Sequence, residues 1–406
     1  MSSLRAQKPI NKAGRGKIMG QSQLDQRHAI FNHPDWPRFR WRQEALDRDL
    51  AGWSEEEELL ANKLKYIEGA FLVELRRISL YEELISSLEL DDEYLEPEAI
   101  KATLAEKPLV FRSHWASDSS PGTRFLSADP GPRIAALIDL HLDARANPEK
   151  RLSTRRLTLW RRALTQPGSL AGLGSWRGPA FGLNPARPGS RPYALEPLPA
   201  PVAKRIPLEM DRFFNWHNAP WPHHLTLKAA LTHLWLWIAQ PYAGGSGHLA
   251  RLAADLALAG RGEIAAYYSL SQAISRDREN YHATLAATIN SPNLDVTPWL
   301  LWFLKTLRQA GQTANARFDL IITQAARWSG TQGQPLSQRQ KNALALLEVN
   351  FLGPLNPRRY ARLTKCDLAV AERELNELVA RGLIDPKFLS PTDLGPKPGR
   401  QDLGLF

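Results

Sequence analysis

The chain has a single cysteine, Cys366, among 406 residues. One thiol cannot form an intramolecular disulfide or a cysteine-only zinc site. It fits a reducing compartment, and the expected location is the cytoplasm. Long apolar runs are also missing. The densest, LWLWIA at 234–239, falls far short of the roughly 20 residues that span a bilayer, so no membrane contact is expected. Residues 1–28 are basic and polar and lack the apolar centre of a signal peptide. The histidines of HAIFNH, SHW and WPHH show no spacing with Cys or acids that fits zinc, and no metal site is assigned. No internal repeat is present, which disfavours a solenoid.

What is present points to a globular body. Hydrophobic residues make up 43% and charged residues 23%, a composition that supports a core. Thirteen tryptophans suit a well-packed helical protein, since each buries a large area. The net charge of +10 permits long-range attraction to nucleic acid or acidic partners.

Along the chain, 1–28 reads as a basic disordered arm. FNHPDWPRFRW at 31–41 is aromatic and proline-rich, hence extended, with Trp36, Phe39 and Trp41 as anchors. From Ser54 to Leu88 the pattern is helical, with Ser54 as N-cap and acids in the first turn. A break follows near Asp91 and Asp92. Helices are expected over 96–106, with Pro97 in the first turn, and over 131–147 and 153–166. Residues 167–206 are rich in Gly and Pro and suit a hairpin flap. The remainder to about Arg327 is helical again. The last segment holds three short helices, PLSQRQKNALALLE, NPRRYARLTKC and DLAVAERELNELVARGLI. They read as a helix-turn-helix whose tail forms a wing. Arg358, Arg359, Arg362, Lys365 and Arg373 make it basic. Two uses stay open, DNA contact and packing against a partner.

One stretch carries a chemical pattern: QPYAGGSGHLAR at 240–251. Gly244, Gly245 and Gly247 let a backbone approach an anion closely, and Ser246 can cap the helix that follows. The first N–H groups of that helix lack intrahelical acceptors and point at such an anion. The same corner also suits a plain reversal between two helices. No Walker-type lysine follows the glycines, which disfavours a P-loop ATPase.

An apolar helix entering Q-P-Y-x-x-G-x-G and a second helix leaving it resemble the Fic family, whose loop reads H-P-F-x-[D/E]-G-N-G-R-x-x-R. HPDWPRFRW, PRIAALIDLHLDARAN, KAALTHLWLWIAQPY, LARLAADLALAG, LDVTPWLLWFL and the C-terminal helices extend the resemblance over roughly residues 30–390. It implies a mainly α fold: a Fic/Fido helical core with a β-hairpin flap at 181–195, plus a C-terminal winged helix-turn-helix. The corresponding division is an N-terminal helical segment at 29–125, a Fic/Fido domain at 126–330, the winged module at 335–395 and a tail at 396–406. Members of the family move AMP, or another phosphate-linked group, from a nucleotide such as ATP onto hydroxyls of target proteins, which the flap aligns. The resemblance thus admits a protein target at the flap, DNA at the C-terminal module and a second copy of the chain as partners.

The departures from that loop bear on function. Gln240 stands where the family has the histidine that takes the hydroxyl proton, and a carboxamide cannot do so. Gly244 replaces the acid that holds Mg²⁺, which needs oxygen ligands. Ser246 and His248 replace the asparagine and first arginine, while Pro241, Gly245, Gly247 and Arg251 are kept. The expectation is an impaired transferase acting as a regulatory or scaffold module, with ATP as its candidate ligand and Mg²⁺ disfavoured. The alternative is a transferase with altered chemistry. ELISSLELDDEYLEPEAI is similar to the family's inhibitory helix, [S/T]-x-x-x-E-[G/N], with Ser87, Asp91 and Asp92 on its positions. On that resemblance Asp91 pairs with Arg251 as a latch.

Overall fold

A helix that is apolar on every side must be enclosed by others, and LTLKAALTHLWLWIA is such a segment. The computed structural model describes residues 29–67, 69–107, 130–165, 175–178, 198–327, 336–348 and 356–384. Its α-helices are α1 (Gln43–Leu64), α2 (Gly69–Leu90), α3 (Pro97–Glu106), α4 (Pro130–Ala146), α5 (Thr154–Leu164), α6 (Ile206–Asn218), α7 (Leu225–Ala239), α8 (Ser246–Ala259), α9 (Leu270–Arg276), α10 (Arg278–Ile289), α11 (Thr297–Arg327), α12 (Gln338–Glu348), α13 (Pro357–Thr364) and α14 (Leu368–Ala380). Among the described residues there is no sheet, only a parallel bridge between Arg40 and Asp295. The expected flap at 181–195, the arm at 1–28 and the wing beyond 384 lie outside the described residues. None of the described helices is long and apolar enough to cross a membrane.

The apolar helix is α7, and from Thr226 to Ala239 only Lys228 escapes burial. It packs along α8, in which every residue from His248 to Ala259 is buried. This pair is the centre of the core and carries the glycine-rich loop between its members. Around it, α11 packs on α1, α9 on α2, and α4 on α8. Small residues set the closest approaches. A Cβ at Gly311 would come within 2.9 Å of the Trp53 ring, so α11 and α1 meet there only because no side chain intervenes.

Local signals placed several elements. Ser153 caps α5 by accepting from the Arg156 N–H at 3.3 Å, Pro97 opens α3, and His224 caps α7 by accepting from Thr226 N–H. The reading of one helix from Ser54 to Leu88 needs correction. α1 begins eleven residues earlier, at Gln43, and the chain breaks before α2 starts at Gly69. The acids that resembled a first turn lie mid-helix, and two of them have distant partners. Glu56 accepts from Asn315 Nδ2 at 2.8 Å, and Glu57 accepts from Arg261 Nε at 2.7 Å. The aromatic segment is also less extended than expected, since Ile30–Asn32 forms a 3₁₀ turn. Trp36 is buried there and donates its indole N–H to Glu209 at 2.9 Å.

The three C-terminal helices form a separate apolar cluster, which includes Leu344, Tyr360, Leu363, Leu375, Leu378 and Ile384. Gly382, at φ 67°, ends the run after α14, as a left-handed glycine commonly does.

Candidate functional site

The loop between α7 and α8 is held by two arginines from outside it and by its own tyrosine. Gln240 ends α7 in the left-handed region, at φ 41°. Its N–H still reaches Leu236 O at 3.1 Å. Its carbonyl accepts from Arg177 Nε at 2.6 Å, and the Arg177 N–H donates to Pro241 O at 2.9 Å. Arg177 also donates to Pro201 O. Tyr242 is buried, shares a hydrogen bond with Thr158 Oγ1 at 2.9 Å, and packs on Trp176 with ring centroids 5.1 Å apart. Arg161, one turn beyond Thr158 on α5, donates to Ala243 O at 3.0 Å.

Gly244 and Gly245 follow at φ 87° and 71°. These positive values turn the chain so that α8 starts with its N–H groups toward the loop, the arrangement that favours an anion. Ser246 is the first residue of α8 and Gly245 its N-cap, with no side-chain cap bond. The expected cap by Ser246 is therefore corrected: the helix starts one residue earlier than a serine cap requires. Among the described residues other than its two chain neighbours, none places a heavy atom within 4 Å of where a Gly244 Cβ would stand. A glycine has no side-chain oxygen, so position 244 itself offers no ligand of the kind that magnesium requires.

The far side of the loop is filled. Arg251, 2% exposed, donates from Nε to Ser87 Oγ at 2.8 Å and from Nη2 to Ser87 O at 2.8 Å. Nη2 also meets Asp91 Oδ1 at 3.0 Å as an ion pair. Asp91 Oδ1 lies only 2.8 Å from the position of a Gly247 Cβ. The carboxylate thus rests on the bare backbone of the first turn of α8, where an anion would be drawn. Next to it, Asp92 pairs with Arg278 at 3.0 Å, which fixes the turn at the end of α2.

His248 does not extend into this space. It is 2% exposed, and its Nε2 is 3.1 Å from Nε2 of His141 on α4. Two imidazoles in this contact share one hydrogen, so they cannot both be charged. Burial, then His141, Arg251 and Arg133, push His248 well below the usual histidine range. Burial pulls His141 down to about 4, with Glu83 opposing. His248 is therefore neutral at pH 7 and cannot replace an arginine against a phosphate. The reading of it as a phosphate ligand is corrected: the buried α4–α8 contact claims its ring.

Behind this pair lies a buried polar cluster. Arg145 Nε binds Asp255 Oδ2 at 3.0 Å and approaches Glu83 at 3.5 Å. Glu83 accepts from Ser269 Oγ at 2.9 Å and Ser271 N–H at 3.0 Å. Burial opposes its charge, but Arg145, His141 and Ser271 outweigh that and hold its pKa low. Burial lifts Asp255 to about 7 despite Arg145. Glu83, His141 and Asp255 place donor atoms within 4.8 Å of one another. The Arg145 guanidinium already supplies the cation that the two carboxylates require, so the group joins α2, α4 and α8 without a metal.

The basic residues of the C-terminal helices separate. Arg358, Lys365 and Arg373 are exposed, and Arg373 lies 4.0 Å from Glu377 on its own helix. Arg359 instead turns against α2, 4.0 Å from Glu74, with a side chain only 12% exposed. Arg362 donates to Ala105 O. These two arginines dock the C-terminal helices on the body, which removes Arg359 from the candidate DNA contacts.

Thr158, Arg161, Trp176, Arg177 and His141 escaped sequence reasoning. None lies in the α7–α8 loop; Thr158, Arg161 and His141 are of types ordinary for helix faces, and Trp176 and Arg177 lie in a non-helical stretch. The basic run TRRLTLWRRAL was the only hint of Arg161.

The family described as a domain of unknown function (DUF4172) matches residues 30–108. No curated protein matches the chain. Among solved structures, the chain is similar to a Fic family protein from Desulfovibrio desulfuricans G20, with 18% identity and a TM-score of 0.49, covering 84% of this chain and 94% of that one. It is also similar to a Fic domain containing signaling protein from Bacteroides thetaiotaomicron VPI-5482, with 16% identity and a TM-score of 0.43, covering 67% of this chain and 95% of that one.

Proposed function

We propose that the chain is a Fic-like protein in which the group-transfer site is now a closed anion cradle that regulates rather than reacts. The observation that carries this reading is the Asp91 carboxylate, which rests on Gly247 while it pairs with Arg251 at 3.0 Å. A nucleotide placed with its phosphates on the start of α8 would meet that negative charge before it reached Arg251. Entry therefore requires the end of α2 to yield, and the cradle responds to whatever moves α2.

The reactive groups are absent as well. The Gln240 carboxamide cannot accept a hydroxyl proton near neutral pH. Gly244 offers no ligand for a cation that would neutralise phosphate charge. A missing general base alone commonly slows such a step by about 10²- to 10⁴-fold. His248, in the first turn of α8, is held against His141. These losses act within one catalytic unit and do not simply multiply, yet either is enough to make transfer slow.

Incubation of the purified chain with ATP and Mg²⁺, followed by intact-mass measurement, tests the reading. The expected result is no mass increase over hours. An adduct that forms within minutes and is lost in Arg251→Ala would overturn it.

A further inference from the structure

A second site lies away from the loop. The segment carrying PRFRWR, helix α6 and the turn before α7 enclose an open groove of about 590 Å³, within the range of ligand sites. Its floor is aromatic. Trp216 contacts Trp221 at 5.6 Å and 79°, and Trp235 at 5.3 Å. Trp41 lies 6.4 Å from Trp221 at an interplanar angle of 33°. Trp41, Trp216 and Trp221 are only partly buried, so each keeps some ring surface toward solvent.

We propose that this groove binds single-stranded nucleic acid, with bases stacked on Trp41, Trp216 and Trp221 and phosphates held by Arg38 and Arg212. Charge is the first support. Arg38 and Arg212 line the groove and are exposed, and among the described residues no carboxylate lines it. The nearby acids are already engaged: Asp35 pairs with Arg40 at 3.1 Å, and Glu209 takes the Trp36 N–H at 2.9 Å and Arg205 at 3.0 Å. Arg212 approaches Glu209 no closer than 3.9 Å. A cationic ligand would be repelled, whereas a phosphate backbone is attracted.

The hydrogen-bond inventory is the second support. Trp41 gives its indole N–H to Gln43 Oε1 at 3.1 Å, and Trp221 gives its own to His224 O at 3.1 Å. With these two N–H groups engaged, Trp41 and Trp221 offer a ligand the ring surface that His223 leaves open. Base stacking needs only the ring face, and every base has one. Aromatic rings interleaved with arginines, as in PRFRWR, are the combination single strands require. This site shares no residue with the basic positions of α13 and α14, and its preferred form of nucleic acid is unpaired.

Fluorescence anisotropy of the full chain with end-labelled (dT)₁₀ at 50 mM and 200 mM salt tests the proposal. Binding is expected, with (dT)₁₀ favoured over duplex of equal length. Trp41→Ala or Trp221→Ala should weaken it roughly 5- to 100-fold, the range of one lost stacking partner. Arg38→Glu with Arg212→Glu changes exposed positions and leaves the core intact. It should abolish binding and, as Arg→Ser at the same positions, should flatten the salt slope by about 0.7 per lost phosphate contact. The proposal fails if (dT)₁₀ does not bind at 50 mM salt. It also fails if the arginine pair changes nothing, if duplex competes equally, or if a proline-rich peptide displaces the oligonucleotide and binds more tightly.

Discussion

Removing the carboxylate of Asp91 should open the cradle to ATP. In the closed state the Asp91 side chain is 22% exposed and Arg251 only 2%, so their contact is partly shielded from water. Hydrogen bonds that involve charged groups contribute about 1.5–3 kcal/mol net. A nucleotide that reaches Arg251 in the wild type must give up that contact, whereas in Asp91→Ala it need not. At about 1.4 kcal/mol per tenfold in affinity, the variant should bind ATP roughly 10- to 100-fold more tightly. Ser87 keeps Arg251 in place through two bonds of 2.8 Å, so the guanidinium stays preorganised when Asp91 is gone. Asp91→Asn separates bulk from charge, because it leaves a carboxamide of the same size over Gly247. Its gain should be smaller than that of Asp91→Ala. Gly247→Ala places a methyl 2.8 Å from Asp91 Oδ1, which should dislodge the carboxylate and lower Tm. Isothermal titration with ATP, with and without Mg²⁺, reads the affinities and a thermal melt reads the Tm; little metal dependence is expected. Equal ATP affinity in wild type and Asp91→Ala, within about twofold, would refute the reasoning.

Other consequences are open to direct measurement. Gln240→His alone should restore no transfer, since Gly244 and Asp91 are unchanged; combined with Gly244→Asp and Asp91→Gly it should yield slow labelling from ATP, read by intact mass. Aspartate tolerates the φ of 87° at Gly244 better than most residues, and the space there is open. Acid should destabilise the fold through His141: its pKa is about 4 folded and about 6.5 unfolded, so its contribution is complete above pH 6.5 and is lost as pH falls toward 4. The slope approaches about 1.4 kcal/mol per pH unit within that window, and His141→Gln should flatten Tm against pH there. Asp255 works in the opposite sense, because its raised pKa makes its contribution fade as pH rises through about 7. Arg359→Glu sets a second carboxylate against the buried Glu74, and calorimetry should show the C-terminal helices melting separately at lower temperature.

The centre of the fold was legible because its signals are local. An apolar run, a glycine cluster and a second apolar run mark α7, the loop and α8 without reference to anything else. Pro97 marked a helix start in the same way. α1 was misread because Ser54 followed by four glutamates imitates a capped start, while the true partners of Glu56 and Glu57 are Asn315 and Arg261, more than 200 positions away. The site divides along the same line. On the family resemblance, Gln240 and Gly244 stand where an imidazole and a carboxylate are expected. The pairing of Asp91 with Arg251, 160 residues apart, was visible only through a family resemblance. The clamp by Arg161 and Arg177 and the His141–His248 contact are tertiary facts. Nothing in the spacing of those residues announces them, since ordinary helix faces carry the same types.

A crystal structure of the wild-type chain grown with millimolar ATP tests the closed cradle most directly. The expected density shows the Asp91 carboxylate on Arg251, the Gly247 backbone covered by it, and no phosphate at that guanidinium. A terminal phosphate bound to Arg251, with Asp91 swung away from Gly247, would contradict it.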